Sequence, residues 1–122
     1  MSPDEIKHTS LDAAALDELR ELGGDDFIAE VIDTFLTDAP TLVTALRRSL
    51  DDGDLDELRR AAHTLKSNGA TLGARGFSEL CRELEQAAKS GQMEGAAELV
   101  ERIEQGYGAL VETLTSLRPA AP

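Results

Sequence analysis

Apolar residues in this chain recur three and four positions apart, in segments punctuated by glycine, and that spacing leaves few folds open. A period of 3.6 residues gathers such side chains on one stripe of an α-helix, whereas a half-buried strand needs strict alternation. The composition points the same way. Ala, Leu, Glu, Asp and Arg dominate, with three Phe, one Tyr and no Trp, so good helix formers outweigh β-formers. At 122 residues the chain suits one domain around one core.

The spacing predicts a short first helix on Leu11, Ala15, Leu16, Leu19 and Leu22, with Ser10 as candidate N-cap and Gly23-Gly24 as its stop. A long second helix runs from Phe27 through Val31, Phe35, Val43 and Leu46 to Gly53, and Pro40 should bend or split it. Asp54 with Glu57 makes a capping-box-like start for a third helix, whose narrow stripe is Leu55, Leu58, Ala62, Leu65, Gly69 and Leu72. Phe77, Leu80, Leu84 and Ala87 mark a fourth helix ending near Ser90-Gly91. The last runs from about Met93 to Leu117, with Gly106 and Gly108 as places to fray or bend. Connections this short set neighbours antiparallel, so the expected fold is an all-α, up-down four-helix bundle with a short additional N-terminal helix. The expected division is a flexible stretch at 1–9, a bundle domain at 10–118 and a disordered tail at 119–122.

A net charge of −12 argues against nucleic acid and anionic membrane as partners, because such binders neutralise phosphates with clustered Lys and Arg. No stretch approaches a membrane span or a signal peptide, so a cytoplasmic location is expected. The lone Cys81, beside Leu80 and Leu84, reads as packing. A chain that begins with Met and holds little beyond the bundle is expected to be free-standing, with an excised domain of a larger kinase as the alternative, and a monomer is expected.

His63 lies roughly 140° from the apolar stripe of the third helix and should face solvent. Arg59 and Arg60 lie one turn before it, Lys66 and Ser67 one turn after, and Ala70 two turns after. Three cations thus share a face with one histidine on an acidic protein, and the small residues Ser67, Gly69 and Ala70 leave room for a macromolecular partner. The same features also suit an ordinary solvated face. His8 has no supporting residues and is assigned no role.

The run Ala61–Ala74, AAHTLKSNGATLGA, follows the histidine with Leu65 and Lys66, then small residues, then Gly73-Ala74. It resembles the signature of histidine-containing phosphotransfer (HPt) domains: a His, Leu and Lys two and three residues later, small residues and a closing Gly-Ala pair. The resemblance extends over roughly Gly24 to Leu117, including ELCRELEQAAKSG after the motif. Many family members carry Gly directly after the Lys; here Ser67 and Asn68 precede Gly69.

The resemblance implies a phosphocarrier in a His-Asp phosphorelay. His63 would accept a phosphoryl group on Nε2 from a receiver-domain aspartate and pass it to another, and Lys66 would hold the phosphoryl oxygens. The implied partners are response-regulator receiver domains and a hybrid sensor histidine kinase. A free imidazole titrates near about pH 6.5, so its neutral form is available as a nucleophile at cytosolic pH. The chain has no P-loop, no kinase-like Gly-rich loop and no acidic spacing for a metal, so it is expected to bind no cofactor and to lack kinase or ATPase activity of its own. Mg²⁺ is expected in the partner receiver. Glu85, twenty-two residues beyond His63, either orients the imidazole or is one of three surface glutamates with Glu79 and Glu83. The rival reading is a docking module that binds a receiver or kinase without being phosphorylated; an autonomous hydrolase or metalloprotein is the weakest.

Overall fold

The break expected between a first and a second helix is visible at Gly24. The computed structural model describes residues 11–117; Ser10, His8 and the 119–122 tail, for which a cap, no role and disorder were expected, lie outside the described residues. Helix α1 spans Ala13–Asp52, α2 Leu55–Thr71, α3 Arg75–Ser90 and α4 Ala96–Leu117. The expected first and second helices both lie within α1, separated as expected at Gly24, whose φ of 73° and ψ of −165° divide α1 into an arm (13–23) and a rod (25–52). That dihedral region is essentially open to glycine alone. Pro40 does not split the rod: Gly24 holds the non-helical dihedrals within α1. Its ring lies on the exposed side, where water can satisfy the carbonyl that loses its N–H partner.

The four helices form a ring, α1 packing on α2 and α4, and α3 on α2 and α4. Connections as short as Gly53-Asp54 allow only antiparallel neighbours. The core is aliphatic: Ile32, Leu46, Leu58, Leu65, Leu80, Leu84, Ile103, Leu110 and Leu114 are all buried, each contributing about 1.5–3 kcal/mol on burial. Phe77 is buried among them and meets Phe35 edge-on, ring centroids 6.3 Å apart at 79°. Helix α4 runs through both Gly106 and Gly108, and Gly106 is buried. The expected fraying there is overridden by packing. On α3 it is Ala88 rather than Ala87 that is buried.

Helix α2, which carries the histidine, is held at both ends. At its start the Asp54 carboxylate accepts from the Glu57 N–H at 3.1 Å. The reciprocal half of a capping box is missing, because the Glu57 side chain turns to Arg48 and the Asp54 N–H goes to the Ser49 carbonyl at 2.9 Å. At its end Gly73 adopts φ 77°, and its carbonyl accepts from the Asp12 N–H at 2.8 Å, bringing the start of the α1 arm onto the α2–α3 turn. An ion pair between Asp12 and Arg75 reinforces that contact.

Candidate functional site

Midway along α2, His63 projects to the surface with 56% of its side chain exposed. Helical periodicity alone puts it there. Its partner comes from the next helix: the Glu85 carboxylate on α3 reaches across, Oε2 lying 2.7 Å from His63 Nδ1. The second Glu85 oxygen, Oε1, accepts from Lys66 Nζ at 2.7 Å. One carboxylate therefore joins the two α2 residues singled out from the sequence, and of Glu79, Glu83 and Glu85 it is Glu85 that is withdrawn from solvent, with 16% of its side chain exposed. Lys66 is itself 28% exposed, its stem lying along the α2–α3 seam. The Ser78 hydroxyl on α3 donates to the Lys66 carbonyl at 2.8 Å and pins the two helices in register at this level.

The protonation pattern follows from this geometry. The Lys66 ammonium holds the Glu85 carboxyl below the usual range, with the His63 hydrogen bond adding to the effect against the opposing pull of partial burial. An ionised carboxylate can only accept, so the proton in the His63–Glu85 hydrogen bond sits on Nδ1. In the neutral ring that leaves the lone pair on Nε2, for which the described residues supply no partner. The arrangement is that of an exposed nitrogen nucleophile with a fixed tautomer.

The other residues expected here fare differently. Arg59 and Arg60 do not converge on His63: both reach back to Asp56, at 3.0 and 3.4 Å. Helical side chains lean toward the N-terminus, so an arginine one turn before the histidine points away from it. Ser67 and Ala70 are exposed on the His63 face, as expected. Gly69 is not. It is buried, and a Cβ at that position would stand 3.0 Å from Phe77 Cδ1, so its smallness serves the close approach of α2 and α3 rather than a partner's access. Cys81 is fully buried, and burial pushes its thiol up to about 12, which leaves it to packing.

Two features escaped sequence reasoning. The Lys66–Glu85 pair spans two helices, and only the i, i+3 relation of Lys66 to His63 was visible. Thr64 and Asn68, beside His63 and Ser67, line a groove of about 390 Å³ between α1 and α2 with Thr37, Asp38, Thr41 and Leu42. Thr64 and Asn68 carry no motif that would single them out. Among the described residues no three His, Cys, Asp or Glu side chains cluster to hold a metal, and no helix is long and apolar enough to cross a membrane.

Residues 30–115 match the Hpt domain. The chain is 27% identical over 105 residues to histidine-containing phosphotransfer protein 5 of Arabidopsis thaliana, covering 84% of this chain and 67% of that protein. It is 34% identical over 84 residues to the sensor protein TorS of Escherichia coli K12, covering 69% of this chain but only 9% of TorS. Among solved structures, histidine-containing phosphotransfer protein B (HptB) of Pseudomonas aeruginosa PAO1 superposes with a TM-score of 0.83 at 30% identity, over 88% of this chain and 93% of that one.

Proposed function

This chain belongs to the Hpt domain family, with phosphotransfer in a phosphorelay as its role, and from that premise we propose that Nε2 of His63 is the atom that carries the phosphoryl group. The observation that supports this assignment is the His63–Glu85 hydrogen bond, which holds the proton on Nδ1 and leaves Nε2 free on an exposed ring. His8, the second histidine of the chain, has no comparable setting in the sequence.

In the transfer, the Nε2 lone pair forms the P–N bond while the P–O bond to the receiver's aspartate breaks, and the electron pair leaves on the aspartate carboxylate. The Nδ1 proton stays in its bond to Glu85, so the phosphorylated ring is cationic and remains a good leaving group for the reverse step. Such a loose, in-line transfer asks the carrier for little beyond position and an approachable nucleophile. The Mg²⁺ that neutralises the phosphoryl oxygens belongs to the partner receiver. Ser67 and Ala70, small and exposed, form the near edge of the docking surface, with the α1–α2 groove at Thr64 and Asn68 beside them. The partners are response-regulator receiver domains and a hybrid sensor histidine kinase, and the protein acts in the cytoplasm as a monomeric phosphocarrier without kinase or ATPase activity of its own.

The test is incubation with a phosphorylated receiver domain and Mg²⁺, following acid-labile, base-stable phosphate on the wild type and on His63→Gln. Label on the wild type alone is the expected result. Label on neither, with binding to the receiver intact, would replace the phosphocarrier by a docking module.

A further inference from the structure

We propose that the Ser67 hydroxyl donates a hydrogen bond to the phosphoryl group carried on His63 Nε2, and so favours the group's residence on this protein over its residence on the receiver. The proposal deepens the phosphocarrier reading and rests on it.

Ser67 follows His63 by four residues on α2, so the two side chains share one exposed face with their Cβ atoms about 5–6 Å apart. Cα–Cβ bonds in a helix tilt toward its N-terminus. The tilt that carries Arg59 and Arg60 away from the imidazole carries the Ser67 hydroxyl toward it. The ring is oriented as well, since Nδ1 is turned to Glu85 on α3 and Nε2 is left open to solvent. A phosphoryl group on Nε2 extends beyond the ring by a P–N and a P–O bond, a reach that lets a side chain one turn away meet its oxygens.

Of the donors around His63, Ser67 is the uncommitted one. Arg59 and Arg60 are paired with Asp56, and Lys66 with Glu85. The Thr64 hydroxyl donates to the Arg60 carbonyl and the Thr71 hydroxyl to the Ser67 carbonyl, each at 3.1 Å, the back-bonding to the preceding turn that helical threonines make. Asn68 points toward the α1–α2 groove, about 140° around the helix from His63. The Ser67 hydroxyl forms no hydrogen bond among the described residues. Once His63 is phosphorylated, that hydroxyl faces anionic oxygens, and a hydrogen bond to an ionised acceptor is stronger than the bond to water it replaces. Glycine, which many family members carry at this position, supplies no such donor.

The consequence is thermodynamic. The equilibrium between phosphorylated receiver plus free carrier and free receiver plus phosphorylated carrier compares four separated proteins, so contacts made only in the complex cannot change it. A serine that touched the receiver alone would alter binding and transfer rates and leave that equilibrium where it stood. A serine that touches the phosphoryl group in the free phosphoprotein moves it toward His63.

The test brings exchange with a phosphorylated receiver and Mg²⁺ to equilibrium from both directions, with both proteins dilute enough to be mostly unbound, and counts the phosphate on each. Ser67→Ala and Ser67→Gly should both lower the equilibrium constant for uptake, on the order of three- to tenfold and by the same factor, because each lacks the hydroxyl. A constant equal to that of the wild type, with only the rates changed, would overturn the proposal and leave Ser67 a docking residue. A shift in one variant but not the other would trace the effect to side-chain size and overturn it too. In both of those cases label still reaches the wild type and the phosphocarrier reading stands; a wild type that takes up no label at any time ends the reading and the proposal together.

Discussion

Gly73 closes the motif helix, and replacing it with alanine separates two costs that a glycine can hide. Gly53, at the end of α1, is the built-in control: both residues sit at positive φ, 73° for Gly53 and 77° for Gly73, but a Cβ on Gly53 would meet nothing within 4 Å. A left-handed alanine is strained by about 1–2 kcal/mol, and the stiffer unfolded chain returns about 0.4–1 kcal/mol, so Gly53→Ala should cost about 1 kcal/mol. A Cβ on Gly73 would stand 2.8 Å from the Asp12 carbonyl oxygen, 2.9 Å from its nitrogen and 3.0 Å from Ala15 Cβ. Two of those are backbone atoms that cannot rotate aside. The arm must lift from the turn, adding about 1–3 kcal/mol of overpacking. The bond from the Asp12 N–H to the Gly73 carbonyl, worth about 0.5–1.5 kcal/mol net, goes with it. Gly73→Ala should therefore lose about 2.5–5.5 kcal/mol in equilibrium urea unfolding, clearly more than Gly53→Ala. Equal losses at the two sites would refute the idea that the arm is seated on Gly73. Because the damage is steric and remote from Nε2, folded Gly73→Ala protein should still accept phosphate on His63.

Two further outcomes follow from the buried and half-buried groups. Glu85 is held below the usual carboxylate range in the folded protein, so its stabilising contribution is complete above the unfolded value near about pH 4.3 and is lost as pH falls through the lower folded value. The stability advantage of the wild type over Glu85→Gln in urea unfolding should accordingly shrink between about pH 5 and about pH 3, and a constant difference would sink the account. Cys81, with no exposed surface, should react with a thiol reagent only as fast as the bundle opens, and rapid labelling under native conditions would show that α3 is loosely packed.

The helices were legible because helix formation is read locally. A stripe at three-and-four spacing, with Asp54 before it and Gly73 after it, specifies α2 almost completely, and the same arithmetic put His63, Ser67 and Ala70 on one exposed face. It failed where direction rather than angle mattered: Arg59 and Arg60 share that face but lean back to Asp56. Gly69 shows the complementary failure, since a small residue looks alike whether it clears space for a partner or for Phe77.

By itself, then, the order of residues along this chain determined the helices, the exposed position of His63 and the stripes that must meet, because 3.6 residues per turn relates side chains on one helix without reference to any other. The tertiary structure decided which carboxylate meets the imidazole, that Lys66 holds that carboxylate, and that the arm before Gly24 starts against Gly73. Those contacts join residues far apart along the chain, and the distances among His63, Lys66 and Glu85 depend on how closely and in what register α2 and α3 pack, which Gly69, Phe77 and Ser78 set only once the bundle has closed.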